Sequence, residues 1–291
     1  MSTSADLMHG YSVEDAPDGY TGHDARDVMR IGPDAPPRPE RDELAQEIPV
    51  ALEYNGLSHA ALLATPLDLE DLAYGFSLTE GIVRDAGDIR DIEIVEHERG
   101  LVVRIAIASA CMHELKARRR SLAGRTGCGL CGLESLDEVQ RALAPLPARH
   151  AGFSAAALSR AAEQLRGRQP LHHLTGATHG AGLADMNGAL NAVREDVGRH
   201  NALDKLIGHM LRNGLDRERY LAVISSRASF EMVQKTAAAG ISALVAVSAP
   251  TTYAIALATE LNVMLAGFAR QYRYTLYAHP EFLAPCRAHD E

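Results

Sequence analysis

Residues 220–268 read YLAVISSRASFEMVQKTAAAGISALVAVSAPTTYAIALATELNVMLAGF. Three short apolar runs, Tyr220–Ser225, Ser242–Val247 and Val263–Phe268, are strand-length. Between them the apolar spacing lengthens to a helical period over Ser229–Ala239 and Thr251–Leu261. Strands that alternate with helices, and that are apolar on both faces, predict a largely parallel sheet covered on both sides.

Working outward, Leu203, Leu206, Ile207, Met210 and Leu211 share one face of a long preceding helix. Before it come strands at His179–Asp185 and Ala189–Arg194 and a helix at Ser154–Arg166. Residues 151–291 therefore read α-β-β-α-β-α-β-α-β, an α/β domain with a mostly parallel sheet. Residues 41–112 read as a smaller α+β domain. Its first hairpin alternates Ile48, Val50, Leu52 and Tyr54, turns at Asn55-Gly56 and returns over Leu57–Leu63. Asp68 is placed to cap a helix over Leu69–Thr79 that Gly81 stops. A second hairpin, residues 89–108, turns at Gly100. Residues 113–150 read as a basic linker and a mobile loop. Residues 1–40 are rich in Asp, Gly and Pro and lack apolar periodicity, which predicts a disordered or loosely docked tail. No internal repeat is found.

The net charge of −9 is unevenly spread. Residues 1–47 hold eleven acids and four arginines, a net of −7, so the rest of the chain is close to neutral and compatible with a local basic pocket. No apolar run reaches the about 18 residues that a membrane span needs. Met1–Gly22 lacks the pattern of a secretory signal. A cytoplasmic protein is expected, with neither a membrane nor a nucleic acid as partner.

Open α/β sheets bind ligands beyond the carboxyl ends of their strands. Ser225-Ser226-Arg227 follows one strand and Ser248-Ala249-Pro250-Thr251 the next. The last strand runs into Phe268-Ala269-Arg270-Gln271-Tyr272-Arg273, which supplies two guanidinium groups and two rings. Any one of these hydroxyls serves commonly as a helix cap. Three polar stops on neighbouring strands point to a ligand cleft suited to a nucleotide, with phosphates at helix N-termini.

The four cysteines are Cys111, Cys128, Cys131 and Cys286, too few for a disulfide scaffold. Cys128 and Cys131 lie in Gly127-Cys128-Gly129-Leu130-Cys131-Gly132, whose glycines favour an exposed loop. Lys116, Arg118, Arg119, Arg120 and Arg125 precede it, and cations near a thiol favour its reactive thiolate. A structural zinc site needs about four ligands, and no second pair at finger spacing is present. On residue chemistry alone, sulfur relay or redox exchange stands level with metal binding. Cys111 reads as buried filler, and His172-His173 as a solvated doublet.

The motifs together resemble the FdhD/NarQ family. Arg125–Gly132 is similar to that family's cysteine loop, and Thr175-Gly176-Ala177-Thr178-His179 to its Thr-Gly-Gly-Thr-His stretch. Arg194–Lys205, Arg227–Lys235 and Ser248–Thr251 match its signatures, and the resemblance spans about residues 47–280. It implies a three-layer fold like that of cytidine deaminases. It implies a persulfide on Cys128, assisted by Cys131, with sulfur received from a cysteine desulfurase. Delivery is to the molybdenum cofactor, bis-molybdopterin guanine dinucleotide, of apo formate dehydrogenase. The family's cofactor-binding stretch maps to Phe268–Arg273. The resemblance further implies a homodimer with no permanently bound cofactor and no metal. Zinc deaminase chemistry is disfavoured, because Ser225–Ser229 lacks the thiol ligands it requires. Two departures stand out: the 268–273 segment lacks a glycine common in relatives, and Ala177 replaces a glycine. A second reading, from another class, is a cofactor-binding chaperone whose cysteines are structural or bind metal.

Overall fold

The computed structural model describes residue 17 and residues 19–33, 35–123, 141–148 and 152–284. The chain forms three sheets. Strands β1 (His23–Gly32) and β2 (Ala35–Ala45) pair as an antiparallel arm. Strands β3 (Ile48–Tyr54), β4 (Leu57–Ala64), β5 (Ile89–His97) and β6 (Gly100–Ile107) form a second sheet in the order β4-β3-β6-β5. Helix α1 (Leu69–Thr79) sits between its two hairpins, and α2 (Ser109–Ala123) follows it. Then come α3 (Ala155–Gly167), α4 (Pro170–Thr175), β7 (His179–Asp185), β8 (Leu190–Asp196), α5 (Arg199–Arg212), β9 (Tyr220–Ile224), α6 (Phe230–Ala238), β10 (Ala243–Ala246), α7 (Thr252–Glu260), β11 (Met264–Arg270) and β12 (Arg273–Ala278). The third sheet has the order β12-β11-β10-β9-β7-β8.

Both hairpins expected in the small unit are present. Asn55 and Gly56 both take positive φ (47° and 80°), which matches the strand twist and fixes the first register. Val50, Leu52 and Tyr54 then point inward and are fully buried. Helix α1 has the expected bounds, and Asp68 is its N-cap, its carbonyl accepting from the Leu72 N–H (3.0 Å). Asp68 is left-handed (φ 52°), and its carboxylate makes no capping bond to the helix but pairs with Arg194.

Three expectations are corrected. The large sheet is mixed: only β9, β10 and β11 run parallel, while β7, β8 and β12 pair antiparallel. The basic stretch from residue 113 is not all linker, because α2 continues to Ala123. Its Ala, Leu, Lys and Arg are strong helix formers, and Cys111, Met112 and Leu115 root its first turns in the core. The tail expected over 1–40 contains β1 and most of β2. Cross-strand charge pairs such as Arg30 with Glu40 accompany that ladder, in place of an apolar face.

The two expected units share a core. A continuous apolar cluster runs from β3 and β6 through α1 and α5 to the α6/α7 face of the large sheet. Helix α3 covers the opposite face with a second cluster that includes Phe153, Leu158, Leu165 and Phe282. Among the described residues no helix is long and apolar enough to cross a membrane.

Candidate functional site

Strand order alone brings the polar stops together. Strands β9, β10 and β11 are neighbours, so their carboxyl ends emerge side by side. The first two ends are zipped: the Ala228 N–H donates to the Ala249 carbonyl (3.2 Å), and the Thr251 N–H donates to the Ala228 carbonyl (3.1 Å). The third joins them through the Phe268 N–H, which donates to the Ser248 carbonyl (3.1 Å). Thr251 caps α7, accepting from the Ala254 N–H. Ser226 is buried, whereas Arg227 is exposed at the rim.

Antiparallel β7 brings its first residues to the same edge. The Gly180 N–H donates to Ser225 Oγ and the Ser225 N–H to the Gly180 carbonyl, both at 2.9 Å. A cleft of about 670 Å³ opens there, lined by Arg166, Gln169, His172, His173, Gly176, Ala177, Thr178, His179, Ser225 and Val247. Of the expected ligand residues only Ser225 lies in its lining. His172 and His173, read from sequence as a solvated doublet, are exposed on its wall.

What holds those histidines in place is Glu195, 1% exposed at the end of β8. Its carboxylate accepts from the Leu171 and His172 N–H groups at the start of α4 (3.0 and 2.7 Å) and from Thr178 Oγ1 (2.8 Å). A carboxylate on a helix N-terminus satisfies donors that the helix itself leaves open. Next to it, Asp196 accepts from Lys205 Nζ (2.6 Å), Thr65 N–H (3.0 Å), Gly198 N–H (2.7 Å) and Asn201 Nδ2 (3.0 Å). The signature over 194–205 is thus largely a brace. It fixes the β8–α5 turn and so the position of Arg199 and His200. His200 Nε2 meets Glu231 Oε2 of α6 at 2.7 Å. His179 lies beside this group. Burial holds its pKa below the ordinary 6.5, and the Arg199 charge adds to the effect.

The Phe268–Arg273 segment is the bulged end of β11 and the turn into β12. Ala269 is fully buried. Phe268 and Tyr272 are 42% and 76% exposed. Phe268, Gln271 and Tyr272 all take positive φ (55°, 51° and 58°), so the missing glycine is replaced by strained backbone. The turn is tied to α3 by the Gln271 N–H, which donates to Glu163 Oε1 at 2.5 Å. Glu163 lies three residues from Arg166, hence one helical turn from the cleft wall. Ala177 carries no such strain, because the positive φ falls on Gly176 (70°).

Cys128 and Cys131 lie outside the described residues. Among the described residues no group of three or more His, Cys, Asp and Glu side chains is arranged to hold a metal ion.

Fold and cleft define an α/β protein with a histidine-lined cleft, which also holds Arg166, at its strand ends. Residues 45–284 match the FdhD/NarQ family, and the chain belongs to that family. The sulfur carrier protein FdhD of Bordetella petrii is 56% identical over 244 residues, covering 84% of this chain and 87% of the relative. That of Bordetella bronchiseptica is 52% identical over 280 residues, covering 96% and 99%. A crystal structure from Desulfotalea psychrophila, of a protein assigned as a formate dehydrogenase accessory protein, superposes with a TM-score of 0.69 at 23% identity. It covers 90% of this chain and all of that one, and supports the fold.

Proposed function

We propose that this protein is a sulfur carrier that serves a formate dehydrogenase. The observation that carries the reading is the identity of 52–56%, over most of both chains, to relatives named sulfur carriers. We assign Cys128 as the carrier thiol and a cysteine desulfurase as the donor. The Cys128 thiolate attacks the outer sulfur of the donor persulfide. A new S–S bond forms, the donor's S–S bond breaks, and the donor cysteine leaves as thiolate. Attack by the Cys131 thiolate on the inner sulfur of the Cys128 persulfide then forms a disulfide and expels hydrosulfide to the acceptor. A thiol reductant restores the pair.

The acceptor in this reading is the bis-molybdopterin guanine dinucleotide form of the molybdenum cofactor, bound transiently as cargo. The Arg166 guanidinium at the cleft suits its phosphates, and the histidines beside it offer ring N–H donors. Ser225, Ser226, Arg227, Ser248, Thr251 and the 268–273 turn form the adjoining strand-end rim. The three-layer arrangement is read as cytidine deaminase-like, and the reducing cytoplasm is the setting that a free thiol pair requires.

The test is mass spectrometry of the full chain after incubation with a desulfurase and cysteine. One added sulfur on the peptide holding Cys128, absent in Cys128→Ala, is expected, together with inactive client enzyme in that background. Full client activity with Cys128→Ala rejects the assignment.

A further inference from the structure

Two arginines that flank the cysteine pair in sequence, Arg118 of α2 and Arg141, reach one place. Beyond Leu115 the side chains of α2 described up to Arg118 are exposed, so the core does not grip that stretch. The Arg118 guanidinium donates instead to the carbonyls of Glu80 (3.2 Å) and Gly81 (2.9 Å). The Arg141 guanidinium donates to the carbonyls of Leu78 (3.2 Å) and Thr79 (2.8 Å). Four successive carbonyls at the end of α1 are thus shared between two arginines.

This is where a helix exposes unsatisfied acceptors and the negative end of its dipole, so it holds two guanidinium groups side by side despite their repulsion. Burial, with the charge of Arg118 next, lowers the pKa of Arg141. Gly81 makes room: its φ is +64°, and a Cβ there would run into the Arg141 guanidinium. Arg141 is fixed a second time, its N–H donating to Gln234 Oε1 at 2.8 Å. Gln234 sits one turn along α6 from Glu231, the partner of His200 at the site. On the same helix Lys235 bonds Thr79 (3.0 Å), Glu80 (3.1 Å) and Asp204 (2.9 Å), locking the end of α1 to α5 and α6.

We infer that Arg118 and Arg141 form a clasp that sets both roots of the cysteine-bearing segment relative to the cleft, and that they are positioning residues for sulfur transfer. Cys128 follows Arg118 by ten residues and Cys131 precedes Arg141 by ten, so both thiols lie midway in sequence between the two arginines. Arg118 therefore spends its donors on main-chain carbonyls. The inference rests on the sulfur-carrier reading.

The test uses the full chain with Arg118→Gln, Arg141→Gln and Arg141→Lys. Three quantities are measured: sulfur loaded by desulfurase and cysteine, affinity for guanosine diphosphate, and formate dehydrogenase activation per loaded sulfur. Loading and nucleotide affinity are expected to stay within about twofold of wild type. Activation per loaded sulfur is expected to fall about tenfold in both glutamine variants, the population shift that losing one charge-assisted hydrogen bond produces. Arg141→Lys should recover most of it. Unchanged activation per loaded sulfur in Arg118→Gln overturns the clasp, and this exposed position keeps the test decisive should Arg141→Gln fail to fold. A loss that merely tracks nucleotide affinity and loading also overturns it, as a general structural defect. A wild-type chain that loads no sulfur sinks the carrier reading, and the clasp's role with it.

Discussion

Gly75 of α1 and Gly208 of α5 meet at a helix crossing with no room for a side chain on either. A Cβ on Gly75 would lie 2.9 Å from the Gly208 nitrogen, and a Cβ on Gly208 would lie 2.9 Å from the Gly75 nitrogen. Each would also collide with a main-chain carbonyl, that of Asp204 or of Asp71. Backbone cannot rotate away as a side chain does. Gly208→Ala should therefore destabilise by about 3 kcal/mol or more, the upper end of overpacking costs, even though alanine is the better helix former. A urea midpoint equal to wild type would show that the crossing tolerates separation.

The pairing of Lys205 with Asp196 is wholly buried, both side chains being 0% exposed. Lys205 also donates to the Thr65 carbonyl (2.9 Å), which ties the end of β4 to α5. Lys205→Met should cost about 3–5 kcal/mol, because it strands a buried carboxylate. The double variant Asp196→Asn/Lys205→Met should recover part of that loss, since it removes the charge that lacks a partner. Denaturation of the wild type and the two variants side by side reads this out. A double variant no more stable than Lys205→Met would mean that Asp196 serves chiefly through its bonds to Thr65, Gly198 and Asn201.

Glu195 is a positioning residue for the histidine wall. Glu195→Gln places an amide NH2 where the present acceptor faces N–H donors, so one of the Leu171, His172 and Thr178 donors loses its partner. The expected cost is about 1–3 kcal/mol. It should fall on α4 first, seen as faster hydrogen exchange at Leu171 and His172 while β9 amides stay protected. Uniform loss of protection across the sheet would contradict a local role.

The fold was most legible where periodicity and turn chemistry agreed. Asn55-Gly56 announced its hairpin, and β9 to β11 declared themselves as buried parallel strands through unbroken apolar runs. Strand β12 was hidden because its turn uses Gln271 and Tyr272 at positive φ without Gly or Asn. Helix α4 was hidden because six residues carry too little period, and its cap is Glu195, distant in sequence. The same limit applies at the site. Ser225 was readable from its place after a strand. The His172-His173 wall required the β7–β8 pairing to be known, since that pairing carries Glu195 to α4. A cue was present in Pro170, which suits a first helical turn.

Acid should weaken the fold before it touches the carboxylates, because two histidines are held neutral. Burial lowers the pKa of His209 below 6.5, and so does Arg194, whose Nη2 donates to His209 Nδ1 at 2.8 Å. Arg212 adds to this, while Asp71 at 3.8 Å opposes it and Asn213 contributes only a neutral amide. His179 is lowered by burial and then by Arg199, His172 and His200, against Asp196. In both cases the unfolded chain binds the proton more tightly than the folded one. The stabilisation is complete above pH 6.5 and is lost as pH falls through that value toward the depressed folded pKa. Urea midpoints should therefore drop between pH 7.5 and pH 5.5. His209→Gln, which keeps a polar side chain facing Arg194 and cannot titrate, should flatten part of that drop. A midpoint that holds steady across this range in the wild-type chain would show that protonated His209 finds enough of Asp71 to offset its burial.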